Sequence, residues 1–190
     1  CIGPDAWGGE MYGVTGAQQP YHLETFPAGV GKVFYGGQLL VFDYHYLNTS
    51  SEAVQARGAV NFHTVAASEV VTVSRDFGMY NLGIKIPPNA TKSFTKECTF
   101  SHDVMVHKLT RHTHRWGTDF AVGFAGGAHD GEHIWTSDNY ENVDFAFDEP
   151  ILLRAGEGFS FRCDFNNTTQ KTLKFGLKAS DEMCILFGSW

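Results

Sequence analysis

The sequence has no run of apolar residues long enough to cross a bilayer, so it predicts no membrane span. Helix-building residues are scarce beside 21 Gly, 16 Phe and 14% aromatic residues, which favours an all-β protein with many turns. Basic residues are scarce too, because 14 Lys and Arg stand against 21 Asp and Glu, for a net charge of -7. This acidic balance argues against nucleic acid as a partner.

Cysteine is also sparse, and its four residues are Cys1, Cys98, Cys163 and Cys184. An even number is typical of two disulfides formed in an oxidising compartment. Sequons for N-linked glycans support the same compartment, and their asparagines are Asn48, Asn89, Asn166 and Asn167. We therefore predict an extracellular or periplasmic glycoprotein, secreted or held at the cell surface.

Short runs of β-branched and aromatic residues, separated by turn residues, fill most of the chain. In 159–165 every second residue is apolar, which indicates a strand with one buried face. Similar patterns predict strands at 33–47 and 59–65, whereas 1–32 shows no period and predicts an extended segment. Many short strands with frequent turns are typical of an antiparallel β-sandwich, here predicted to be of jelly-roll type.

Two histidines, His112 and His114, stand two residues apart within a region of strand character. On a strand this spacing puts both imidazoles on one face, close enough to share a ligand. Polar residues on a solvated strand face show the same spacing. The pair therefore leaves a metal site and a solvated face equally open.

A methionine near the C-terminus, Met183, changes that balance. Its thioether is soft, and together with two imidazoles it would form a neutral site that suits Cu(I) better than zinc or calcium. Taken alone, a methionine is usually a filler of the core. The combination with His112 and His114 is what indicates a copper site.

Two motifs carry a resemblance to a known family: His-Thr-His at 112–114 with Gly117 three residues later, and Asp-Glu-Met-Cys at 181–184. In this order they resemble the copper type II, ascorbate-dependent monooxygenases, which include peptidylglycine α-hydroxylating monooxygenase and dopamine β-monooxygenase. The resemblance runs from about Pro27 to the end of the chain. It implies C–H hydroxylation with ascorbate as reductant and one oxygen-binding copper per chain, whose ligands would be His112, His114 and Met183.

The same resemblance implies two disulfides. In the family, the cysteine that matches Cys184 is bonded to the cysteine that matches Cys163, so these two residues are expected to form a disulfide. Cys98 matches a cysteine whose partner would lie beyond the last residue of this chain, which leaves Cys1 as its expected partner.

The resemblance also implies a division of the chain. Phe42-Asp43-Tyr44-His45-Tyr46 resembles a strand in the family's first sandwich, whose histidine is the third ligand of a separate, electron-donating copper. The match makes His45 a remnant of a second metal site, although a strand histidine without metal is the favoured interpretation. Residues 1–67 would be an extended region with strands resembling the end of that first sandwich, and 68–190 the copper-binding sandwich.

Several substrate positions depart from the peptide-amidating members. Their Asn and Tyr after the methionine are matched by Ile185 and Phe187, and their substrate Arg is matched by Thr110. Arg111 is one residue away, which on a strand places it on the opposite face. Peptide amidation is therefore poorly supported, and no catalytic residue is assigned.

Two functions stay open on the sequence. The first is a copper-binding protein resembling the oxygen-activating half of a monooxygenase, acting on a small molecule or peptide that the sequence does not identify. The alternative is a non-catalytic copper-binding or structural subunit of an extracellular assembly. In either case, the strands predicted at 33–47 and 59–65 are expected to be covered by a second copy in a homo-oligomer, by a separate chain carrying the first sandwich, or by residues 1–32 folding back. Association is the favoured alternative.

Overall fold

The computed structural model describes residues 15–17, 19–42, 44, 46 and 48–190. These residues divide into two compact units: 24–74 forms one, and 75–190 with the described part of 1–23 forms the other. The domain boundary predicted between residues 67 and 68 stays a prediction. Two residues with predicted roles, Cys1 and His45, fall outside the described residues.

Strands make up nearly all of the regular structure in the described residues, which confirms the all-β prediction. In chain order they are β1 Val30–Gly31, β2 Thr72–Val73, β3 Asp76–Tyr80, β4 Lys85–Ile86, β5 Ala90–Thr99, β6 Val104–Thr113, β7 Gly117–Ala125, β8 His133–Ser137, β9 Asp144–Leu153, β10 Gly158–Asn167, β11 Leu173–Lys174 and β12 Cys184–Ser189. A short 3-10 turn spans Ala67–Glu69. Within the described ranges, no helix has the length and apolar character that crossing a membrane requires.

Two four-stranded antiparallel sheets form a sandwich-like arrangement in 75–190. One sheet has the order β3-β12-β6-β9 and the other has the order β5-β10-β7-β8. Most connections cross between the sheets, as from β5 to β6 and from β9 to β10. The predicted antiparallel β-sandwich is thereby confirmed. The strand order is compatible with jelly-roll connections, and that detail stays a prediction.

The core between the two sheets is rich in phenylalanine. On β10, Phe159, Phe161 and Phe165 are all 0% exposed, as the alternation at 159–165 predicts. Phe77 of β3 stacks on Phe159, with 6.1 Å between the ring centroids and 11° between the ring planes. Because these two rings come from opposite sheets, their burial stabilises the packing of one sheet on the other.

Residues 24–74 contain β1 and β2, which pair in parallel. The strands predicted at 33–47 and 59–65 do not appear among the described residues of those ranges. An alternating apolar pattern gives a strand only where a neighbouring strand completes the backbone hydrogen bonds. Here Leu39 and Val41 remain 89% and 75% exposed, so the pattern is present without the pairing that it predicted.

Candidate metal centre

Strand β6 carries the first two candidate ligands toward its C-terminal end. Side chains alternate along it, and Leu109, Arg111 and Thr113 are buried, with exposures of 0%, 1% and 0%. His112 lies between two of these buried positions and is itself half-buried. The alternation therefore places Arg111 and His112 on opposite faces, as the sequence predicts.

The two histidines lie close together. The centroids of the His112 and His114 rings are 5.3 Å apart, with 88° between the ring planes. His114 follows the last residue of β6 and is 4% exposed. Its Nδ1 lies 3.0 Å from the backbone oxygen of Asp181. Because a carbonyl oxygen only accepts hydrogen bonds, the proton must be on Nδ1, and Nε2 then carries the lone pair that can bind a metal.

Met183 lies at the same end of the sheet as the two histidines. It directly precedes β12, whose first residue, Cys184, pairs with Thr113, the residue between the two histidines. The Met183 side chain is buried, at 6% exposure. Pairing of β12 with β6 thus brings a thioether from the C-terminal motif to the end of the strand that carries the imidazoles.

Glu182 is a site residue that sequence reasoning missed. It is 0% exposed, and its carboxylate accepts backbone hydrogen bonds from His114 at 3.0 Å, Trp116 at 2.7 Å and Met183 at 3.2 Å. Burial raises the pKa of Glu182 to about 7, although the three backbone donors act in the opposite direction. An acidic residue directly before a candidate ligand, where the apolar run of 183–187 begins, was the signal that could have revealed it.

A disulfide fixes the strand that follows Met183. Cys163 of β10 and Cys184 of β12 are bonded, with their Cα atoms 5.9 Å apart, which confirms the expected pairing and ties the two sheets together. Cys98 is also disulfide-bonded. Because Cys1 lies outside the described residues, the Cys1–Cys98 pairing stays a prediction.

The described residues contain no group of three or more His, Cys, Asp or Glu side chains that could hold a metal ion, and the candidate centre combines only two histidines with a methionine. In the loop before β8, His129 instead contacts Glu132, with 3.0 Å between Nδ1 and Oε2. The prediction for His45 cannot be placed, because that residue lies outside the described residues. Two imidazoles and a thioether, the donor set that the sequence predicts, are of the kind that suits copper.

The surface beside His112 is mostly apolar. The rings of His112 and Phe187 lie 6.2 Å apart, and Tyr80 packs edge-on against Phe187 at 5.9 Å. Ile185, opposite His112 on β12, is buried. Thr110 donates a hydrogen bond of 2.6 Å to Asp144, so its hydroxyl is already engaged within the protein. The polar groups that hold peptides in the amidating members have no counterpart at these positions.

Comparison with known families gives a match over most of the larger unit. Residues 75–189 match the family model described as copper type II ascorbate-dependent monooxygenase, C-terminal domain. The matched segment contains His112, His114 and Met183, together with both cysteines of the Cys163–Cys184 bridge. It also coincides with the sandwich-like part of the structure, from β3 to β12. This chain belongs to the copper type II ascorbate-dependent monooxygenase family, through that family's C-terminal domain.

Proposed function

We propose that the chain binds one copper ion through His112, His114 and Met183 and serves as the oxygen-activating half of an ascorbate-dependent monooxygenase. The observation that carries this proposal is the close pair of imidazole rings at the end of β6, 5.3 Å apart, with Met183 brought to the same end by β12. When bound, copper supplies the chemistry for hydroxylating a C–H bond with O₂.

The chain's own residues prepare the site in three ways. The carbonyl of Asp181 holds the proton of His114 on Nδ1, so Nε2 offers its lone pair to the metal. The neutral donors favour Cu(I), because they add no negative charge that would favour the more highly charged Cu(II). Phe187 and Tyr80 provide an apolar surface near His112, where a substrate C–H group could pack and water would be displaced.

Copper titration under anaerobic, reducing conditions tests the proposal. The wild-type protein should bind one tight equivalent of Cu(I), and His112→Ala should lose it. His133→Ala is the matched control, because it removes an imidazole that contacts Thr136 on β8 and has no part in the proposed site. Unchanged stoichiometry in His112→Ala would contradict the assignment of the ligands.

A second candidate is a non-catalytic copper-binding or structural subunit of an extracellular assembly. It is favoured by the substrate side of the centre, where the Thr110 hydroxyl is engaged by Asp144 and Ile185 and Phe187 offer no hydrogen-bonding side chain. In this function the copper site would serve as a store or a structural element. The two candidates differ in whether O₂ consumption is coupled to hydroxylated product.

We further propose that the protein is an extracellular or periplasmic glycoprotein, a location supported by the Cys163–Cys184 disulfide. Among the sequons, Asn89 is exposed in a turn, whereas Asn167 is 0% exposed and donates to the backbone oxygens of Ile86, Pro87 and Lys171. Peptide mapping after expression in a eukaryotic secretory host should find a glycan at Asn89 and none at Asn167. A glycan on Asn167 would contradict this assignment.

A further inference from the structure

Glu182 combines a carboxyl group with complete burial, at 0% exposure. A carboxylate removed from water is strongly destabilising unless hydrogen bonds replace its hydration. Here both oxygens are used: Oε1 accepts from the Trp116 amide, and Oε2 accepts from the amides of His114 and Met183. Since each oxygen already accepts a backbone hydrogen bond, the carboxylate is directed at the protein backbone and is poorly placed to serve as a metal ligand.

The three amide donors come from two segments that are far apart in the sequence. His114 and Trp116 belong to the turn between β6 and β7, 68 and 66 residues away from Glu182, whereas Met183 is its direct neighbour. The Glu182 side chain therefore joins the segment that carries the second histidine to the segment that carries the methionine. Asp181 adds a link between the same two segments through its carbonyl and the His114 ring.

The backbone of Glu182 is also fixed. Its N–H donates to the Lys174 carbonyl at 3.0 Å, and its own carbonyl accepts from Gly176 at 3.1 Å. Two residues after Glu182, Cys184 is held by its disulfide to Cys163. The carboxylate is thus attached to a well-anchored stretch of chain, which is what a group needs in order to position another segment.

We infer that Glu182 is a positioning residue of the metal centre, which sets the placement of His114 relative to Met183 before any metal binds. This inference rests on the proposed copper site. A neutral thioether is a weak ligand, so its contribution depends on being held in place in advance. Without the carboxylate, the amides of His114 and Trp116 would lose their acceptor, and the turn would move to satisfy them.

The experiment compares Glu182→Gln with wild type and with Glu157→Gln. Glutamine keeps the size of the side chain but presents an NH₂ group where the amides need an acceptor. Glu157→Gln is the matched control, because Glu157 also accepts a backbone hydrogen bond, from Arg154 at 2.8 Å, in the turn before β10. Cu(I) affinity is measured by competition with a chelator, and the Cu–S contribution is measured by X-ray absorption.

Glu182→Gln should bind Cu(I) about 10- to 100-fold more weakly, within the range seen when groups supporting a metal ligand are removed. Its X-ray absorption should lose the sulfur scatterer and keep the nitrogen scatterers, whereas Glu157→Gln should match wild type. Equal affinity and an intact Cu–S signal in Glu182→Gln would overturn the positioning role, while copper binding by wild type would leave the proposed function standing. Failure of wild type to bind copper would overturn both.

A second measurement covers the case in which Glu182→Gln does not fold. Amide hydrogen exchange on the metal-free wild-type protein reports directly on the three donors. Slow exchange at His114, Trp116 and Met183 supports a centre that is formed before the metal binds. Fast exchange at these amides, beside slow exchange in the middle of β6, would overturn the inference.

Discussion

Two ionisable side chains near the proposed ligands, Glu182 and Arg111, are both almost fully buried but differ in how their polar atoms are satisfied. Glu182 accepts three backbone hydrogen bonds. Arg111 is 1% exposed, and its Nε and Nη2 have no hydrogen-bond partner among the described residues. Burial lowers the pKa of Arg111, while the carboxylates of Asp119 and Asp138 oppose the shift. We therefore expect Arg111 to add little net stability.

The raised pKa of Glu182 makes the stability of the metal-free protein depend on pH. Its pKa rises from 4.5 in the unfolded chain to about 7 in the folded protein, so between these values the folded state holds a proton that the unfolded state releases. The contribution is fully present below the unfolded pKa and is lost as pH rises through the folded value, with a total of about 3 kcal/mol. Urea unfolding across this pH range should show stability falling as pH rises.

The matched variant for this measurement is again Glu182→Gln, which has no titrating group at this position. Its unfolding free energy should be lower than that of wild type and should change less with pH between the two pKa values. Identical slopes in the two proteins would show that another group causes the pH dependence.

Single residues also mark the limit of sequence reasoning at the site. The spacing of His112 and His114 predicts that their imidazoles lie close together on one face, because alternation along a strand is a local property. Met183 was accessible only through the motif in which it stands. The role of Glu182 could not be predicted, because its hydrogen bonds join amides 66 and 68 residues away, and no local pattern encodes that distance.

At the scale of elements, the turn between β6 and β7 is tightly packed around Gly117. A Cβ added at Gly117 would lie 2.6 Å from the Cβ of Thr113 and would also collide with its hydroxyl. Thr113 is 0% exposed, so it has no room to move away. The Thr113 side chain therefore leaves no space for a Cβ at residue 117, which explains why a glycine stands three residues after His114.

Gly117→Ala should accordingly destabilise the protein by about 1–3 kcal/mol, the range typical of an overpacked site, and should also weaken copper binding. Gly83→Ala is the matched control, because its new Cβ would lie 3.5 Å from the nearest atom, on Asn81, which is ordinary contact. Urea unfolding of both variants measures the difference. Equal stability of the two variants would contradict the packing argument.

Elements were predictable where a strand is buried against the opposite sheet. Alternation at 159–165 predicted β10, since burial between two sheets requires an apolar residue at every second position. The same kind of pattern at 33–47 predicted a strand that the described residues do not form. The pattern specifies which side chains share a face, but it does not specify a neighbouring strand, and only the neighbour supplies the ladder of hydrogen bonds.

At the scale of the whole molecule, the described residues bring together one candidate copper centre. Hydroxylation of a C–H bond by O₂ consumes two electrons from a reductant, whereas one Cu(I) ion supplies one. Complete turnover therefore needs one electron more than a single Cu(I) ion supplies.

We expect the 190-residue chain alone, loaded with copper and given ascorbate, to consume O₂ without forming stoichiometric hydroxylated product from peptide or catecholamine-like substrates. A mismatch of polar groups in a substrate site can reduce discrimination by about 10⁴-fold, which adds to the electron shortage. O₂ consumption and product are measured together, and His112→Ala shows how much consumption depends on the proposed site. Stoichiometric product from the isolated chain would contradict this expectation.

The Cys163–Cys184 bridge has a consequence for the maturation of the protein in the cell. The bridge anchors β12 to the opposite sheet one residue after Met183. While both thiols are reduced, they are themselves soft copper ligands and would compete with the thioether for incoming Cu(I). Oxidation removes these competitors and at the same time fixes the start of β12. We therefore expect thiol oxidation to precede metallation. Copper delivered before oxidation would bind to the Cys163 and Cys184 thiols in place of the Met183 thioether.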